Sequence, residues 1–106
     1  MVAWDNHGRA FFGSESSGDP SGTAKGFGDQ WVARFVNPDG ADAPTTARDG
    51  LKYEGTTTVA RGSSSPLSGK FNDKTAIEVD RTGTMCDGNV YFAWSRFTSS
   101  NSNIYF

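Results

Sequence analysis

Cysteine occurs once in this 106-residue chain, at Cys86. A single thiol excludes an intrachain disulfide framework and a cysteine-based zinc site. Leucine occurs only at Leu51 and Leu67, and glutamate only at Glu15, Glu54 and Glu78. Both are strong helix formers, so their scarcity excludes most helical folds. Charge of one sign is also lacking, with a formal net charge of −2 and a pI near 5.2. That balance excludes the basic footprint of a phosphate-backbone binder, and no nucleic-acid partner is expected. No apolar run approaches the roughly 20 residues of a membrane helix, so no membrane partner is expected either. The opening Met1-Val2-Ala3-Trp4-Asp5 has neither a basic n-region nor an apolar h-region, and no signal peptide is read here.

What the chain does have is glycine, serine, threonine, asparagine and aspartate mixed with aromatic and β-branched residues. Turn formers interleaved with strand formers describe short strands joined by tight loops. The length suits one small domain. Few Leu, Ile and Val residues raise disorder as a rival, but the 13% aromatic content and low net charge weigh against it. Strands are expected over 2–5, 9–13, 30–36, 53–60, 75–79, 90–97 and 103–106. Long loops are expected over 13–29 and 61–70, with a ten-residue loop from Asp80 to Asn89. Within 30–36, Trp31, Ala33 and Phe35 share one face, which we expect to be the buried one. Tyr53 to Ala60 is Thr-rich and reads as an edge. Val90 to Phe97 is continuously apolar and reads as a strand covered on both faces.

An internal echo runs through these strands. Val2-Ala3-Trp4-Asp5-Asn6-His7-Gly8 matches Ile77-Glu78-Val79-Asp80-Arg81-Thr82-Gly83 in outline. Gly8-Arg9-Ala10-Phe11-Phe12-Gly13 matches Gly88-Asn89-Val90-Tyr91-Phe92-Ala93, and Trp31-Val32-Ala33 then aligns with Ile104-Tyr105-Phe106. A recurring order of antiparallel strands is the signature of a propeller or array. Two blade-like units are expected, 1–70 and a shorter 71–106.

The run from Phe71 to Asp80, followed by Asp87-Gly88-Asn89-Val90-Tyr91-Phe92-Ala93-Trp94, resembles the blades of sialidase-like β-propellers with BNR (Asp-box) repeats. The likeness is clearest over 71–106 and weaker over 1–40. In the Asp-box position, Asn37-Pro38-Asp39-Gly40-Ala41-Asp42-Ala43-Pro44 keeps only Asp39 in register. The resemblance implies an all-β fold of antiparallel meander sheets, forming about one and a half blades of a partial propeller. It also implies a secreted or cell-surface parent protein that acts on glycans as an exo-glycosidase, with this chain a non-catalytic fragment. Two alternatives stand beside it: a non-catalytic glycan- or protein-binding propeller scaffold, and a small independent β-sandwich.

Sialidases use a Tyr nucleophile helped by a carboxylate, and the family resembles a design in which three arginines hold the substrate carboxylate. Tyr53, Tyr91, Tyr105, Glu54, Arg9, Arg34, Arg61 and Arg96 are candidates by type alone. None sits in a motif that matches, so no catalytic residue is assigned. Tyr53 and Glu54 are strand neighbours and point to opposite faces. Asp5 and Asp80, at the ends of the echoed first strands, read as side chains that cap their turns. Asp39 and Gly88 read as turn residues likewise. His7 has no visible ligand partners, and no metal or cofactor is expected. Trp31, Trp94 and Tyr91 read as core, which leaves Trp4 as the candidate sugar-stacking ring. The apolar edge Ile104-Tyr105-Phe106 is a template for self-association.

Overall fold

The computed structural model describes residues 1–16, 28–41, 50–62, 71–98 and 101–106. Among them lie seven strands and no helix. β1 (Val2–Trp4), β2 (Arg9–Ser16), β3 (Asp29–Val36) and β4 (Lys52–Ala60) form one antiparallel sheet in sequential order. β5 (Phe71–Val79), β6 (Val90–Thr98) and β7 (Asn101–Tyr105) form a second. The fold is therefore all-β, built of two antiparallel meanders.

The strand extents differ from expectation in an informative way. Ser14, Glu15 and Ser16 continue β2, because each pairs with a β3 residue, Trp31, Gln30 and Asp29 respectively. β5 begins at Phe71 rather than Thr75, since Phe71, Asn72 and Asp73 pair with Phe97, Arg96 and Ser95. Polar residues with no alternating pattern become strand when a neighbouring strand supplies the backbone partners. β5 then slips register between Asp73 and Ala76, where Lys74 adopts φ +58 and forms a bulge. β7 starts at Asn101 rather than 103. The segments 17–27 and 63–70, within the expected long loops, lie outside the described residues, as do Asp42, Ala43 and Pro44. β4 is mostly exposed and pairs only with β3 among the described residues.

The sheets pack face to face, with β5 lying against β1, β2 and β3. The core joins Ala3 and Phe11 of the first sheet to Ile77, Val79, Phe92 and Trp94 of the second, with Val32, Ala60 and Val90 at its margin. The sheets approach most closely where Gly28, just before β3, meets the Asn72 backbone, and again at Gly13. A Cβ at Gly13 would lie 2.7 Å from the Phe92 ring and 3.4 Å from Ile77. Trp94 is buried, and its indole N–H donates to Asn72 Oδ1, on a side chain that is fully enclosed, at 3.0 Å.

Two burial expectations are corrected. Val32, not Trp31, faces the second sheet, because Val32 pairs with Gly13 while Trp31 lies on the opposite face against Phe12. Both faces of β3 carry apolar side chains: the partner sheet lies over half-buried Val32, while Ala33, on the face of Trp31 and Phe35, is buried as expected. Among the described residues β6 has a sheet packed on one face only. Phe92 and Trp94 point into the core, whereas Tyr91 and Ala93 are half-buried and Phe97 is exposed on the other side. Among the described residues, no sheet lies against that second face.

Candidate functional site

The two hairpin turns lie side by side and, among the described residues, form a polar cluster. Asp5 follows β1, and its Oδ1 accepts the backbone N–H groups of His7 (2.8 Å) and Arg9 (2.9 Å). Asp80 follows β5, and its Oδ1 accepts from the N–H of Thr82 (2.8 Å) and from the Thr82 hydroxyl (2.6 Å). In both turns the aspartate N–H also closes the hairpin, donating to Arg9 O at 3.0 Å and to Asn89 O at 2.9 Å. Gly8 (φ +76) and Gly88 (φ +86) supply the left-handed backbone that returns the chain into β2 and β6. The two turns thus share the same Asx chemistry although one is five residues longer.

The turns also touch each other. Asn6 Nδ2 donates to Arg81 O at 3.0 Å, and His7 Nε2 lies 2.9 Å from Asp87 Oδ2. The Arg9 guanidinium donates to Asp5 Oδ2 and passes so close to Gly88 that a Cβ there would meet it at 2.7 Å. The Arg81 guanidinium sits 5.4 Å from the centre of the Trp4 ring. Burial disfavours the Asp5 carboxylate, but the Arg9 and His7 amides and the Arg9 guanidinium outweigh it and hold its pKa below the ordinary value. The Thr82 hydroxyl and amide do the same for Asp80, in the open. In the third turn, Asn37 rather than an aspartate caps the backbone: its Oδ1 accepts the Asp39 N–H at 3.0 Å.

A second feature is the outer face of the first sheet, turned away from the core. It carries Val2, Trp4, Phe12, Trp31, Phe35 and Tyr53. Phe12 packs on Trp31 at 5.6 Å and Phe35 on Tyr53 at 5.5 Å, yet Trp4 remains 59% exposed. A third is a cleft of about 460 Å³ between β3, β4 and β6, bordered by Phe11, Val32, Arg34, Thr57, Val90 and Phe92.

The candidate catalytic types do not converge. Tyr53 bonds the Thr56 hydroxyl at 2.7 Å, while its neighbour Glu54 pairs with Arg34 at 2.7 Å. Tyr91 stacks on Phe106, and Tyr105 stacks on Trp94 under the Arg96 guanidinium. Every described arginine has a partner: Arg9 with Asp5, Arg34 with Glu54, Arg61 with Asp29, Arg81 with Glu78, and Arg96 with Asn72. An incoming carboxylate would have to displace one of them. Among the described residues no group of three or more His, Cys, Asp or Glu side chains could hold a metal ion, and no helix is long and apolar enough to cross a membrane. Sequence reasoning missed the cross-turn contacts His7–Asp87 and Asn6–Arg81, which join residues with no shared motif. No family model, curated protein or solved structure matches the chain.

Proposed function

We propose that the chain forms two successive blade-like sheets of a sialidase-like, Asp-box-type β-propeller, acting as a scaffold without catalysis of its own. The observation that supports this is the relation between the two hairpins. Val2 pairs with Phe12 as Ile77 pairs with Phe92, and Trp4 with Ala10 as Val79 with Val90. Corresponding residues nevertheless have opposite fates. Val2, Trp4 and Phe12 are 58%, 59% and 40% exposed, whereas Ile77, Val79 and Phe92 are 8%, 2% and 8% exposed. Conversely, Ala3 and Phe11 are buried while Glu78 and Tyr91 face outward.

A two-fold symmetric sandwich would bury the same positions from both sheets. Sheets stacked in the same sense, as neighbouring blades are, bury opposite faces. Pairing also matches Trp31 to Tyr105 rather than to Ile104, because Ser14 pairs with Trp31 as Trp94 pairs with Tyr105. The resemblance extends the proposal to an exported, glycan-handling protein.

Two measurements test it. Nuclear Overhauser contacts are expected between the Gly13 α-protons and the Phe92 ring. Contacts from the Val2 methyls to Ile77 or Phe92 would overturn the same-sense stacking. The purified chain should leave a fluorogenic sialoside intact, and aglycone release lost on Tyr91→Phe would overturn the non-catalytic role.

A further inference from the structure

We infer that the outer face of the first sheet docks the outer face of the second sheet of another copy of this chain. The inference rests on the blade reading above, and adds to it a partner and a polarity. Its template is inside the molecule. The face around Ala3, Phe11 and Gly13 seats the face carrying Ile77, Val79 and Phe92. The register counterparts of both faces stand on the two outer sides, with no facing sheet among the described residues. Val2, Trp4 and Phe12 stand on one side as counterparts of the seated face. Tyr91 and Ala93 stand on the other as counterparts of Phe11 and Gly13.

The outer face of the first sheet is largely apolar, and that of the second carries Tyr91, Ala93 and Phe97 beside the polar Asp73, Glu78 and Ser95. On the second sheet, Ile104 is 75% and Phe106 83% exposed, and Phe106 stacks on Tyr91. Contiguous exposed apolar surface of this kind marks an interaction site. Glu78 stands where the template has Ala3, but its carboxylate already accepts from Arg81 at 3.1 Å and enters the contact as half of an ion pair. The two surfaces are different, so the contact is heterologous. Each copy uses one face toward the copy before it and the other toward the copy after, and the chain of contacts either closes into a ring or extends.

Sedimentation velocity of the full chain over a dilution series tests this, using one charge on each face. Phe12→Asp blocks the first-sheet face, and Tyr91→Asp blocks the second-sheet face. Val2→Asp and Phe106→Asp replace them if circular dichroism shows that either fails to fold. The wild-type chain should form species that grow with concentration. Each variant alone should stay monomeric, its dissociation constant raised about tenfold or more. An equimolar mixture of the two should form a one-to-one dimer that grows no further, because each variant keeps the face the other has lost.

Four results would overturn the inference. The wild-type chain could be monomeric throughout. Tyr91→Asp could associate like wild type while Phe12→Asp does not, which means two first-sheet faces meet. Both variants could associate like wild type, which means pairing through a strand edge. A monomer whose tryptophan fluorescence is quenched by sugars would make the first-sheet face a glycan platform. The Gly13–Phe92 Overhauser contact, read in the same samples, separates the failures. If it persists without association, only the second-copy inference falls; if it is absent, the blade reading falls with it.

Discussion

Replacing Asp5 by alanine removes three hydrogen bonds from one buried carboxylate. Its Oδ1 accepts from the His7 and Arg9 amides and its Oδ2 from the Arg9 guanidinium, with the Asp5 side chain wholly shielded from water. Hydrogen bonds to a charged group contribute about 1.5–3 kcal/mol each, and breaking a buried ion pair costs about 3–5 kcal/mol. The full sum does not apply. The Arg9 side chain is 32% exposed and can be rehydrated, as can the exposed His7. A net loss of about 3 kcal/mol is expected, out of a total stability of about 5–15 kcal/mol. In a domain of this size that lowers the melting temperature by about 10–20 °C.

Asp5→Asn keeps the Oδ1 acceptor and loses only the charge facing Arg9, so its cost should be about half as large. Asp80→Ala removes a turn of the same form whose carboxylate lies in the open, and should cost clearly less than Asp5→Ala. Urea titration followed by tryptophan fluorescence measures all three, with Trp4 adjacent in sequence as a reporter. A loss under about 1 kcal/mol for Asp5→Ala would refute the reasoning. Equal losses for Asp5→Asn and Asp5→Ala would show that the guanidinium, not the amide cap, holds the turn.

The remaining predictions concern pH and packing. Asp5 has a lowered folded pKa, so its stabilisation is complete above the ordinary value of 3.8 and is lost as pH falls through the lower folded value. Glu15 has a raised one, chiefly by burial and then by the Asp73 carboxyl. Its ionisation penalty is therefore absent below the ordinary 4.5 and complete once pH has risen past the folded value. Urea midpoints should accordingly peak in the mildly acidic range between these limits, with Asp5→Asn flattening the acid limb and Glu15→Gln the neutral one. Gly13→Ala should cost about 1–3 kcal/mol by overpacking against Phe92, and Phe92→Leu in the same chain should recover part of it in thermal melts. Asn72→Ala should cost about 2–3 kcal/mol, because Trp94 Nε1 and Arg96 Nε both lose their acceptor. A double-mutant cycle with Trp94→Phe should show less than additive losses.

Turn chemistry and strand composition were legible in the residues because they are local. Asp5-Asn6-His7-Gly8 specifies its own hairpin, and Val90 to Trp94 is apolar enough to be strand in any setting. What local reading missed depends on partners distant in sequence. Ser14 to Ser16 become strand because Asp29 to Trp31 pair with them, and Phe71 to Asp73 because Ser95 to Phe97 do. Alternation along β3 identifies two faces but does not say which is covered, since Trp31 and Phe35 on one side and Val32 on the other are all apolar. The cluster joining His7 to Asp87 and Asn6 to Arg81 exists only because the two turns arrive at the same end of the stack.

One register position separates the contact inside the molecule from the one inferred between copies. Gly13 gives the Phe92 ring room that no side chain would leave, whereas its counterpart on the outer face is Ala93. If Phe12 of one copy occupies the place over Ala93 that Phe92 occupies over Gly13, an added methyl stands in its way. The ring must lift or tilt, and the intermolecular contact is accordingly the looser of the two. Ala93→Gly should then tighten association while lowering the stability of the isolated chain by about 0.5–1 kcal/mol, because glycine within a strand loses more conformational freedom on folding. Opposite signs for the two effects are the diagnostic result. Sedimentation reads the first and a dilute thermal melt the second. Weaker association together with the expected loss of stability would show that Ala93 contributes apolar contact rather than obstruction, and that the outer faces do not meet in the geometry of the inner ones.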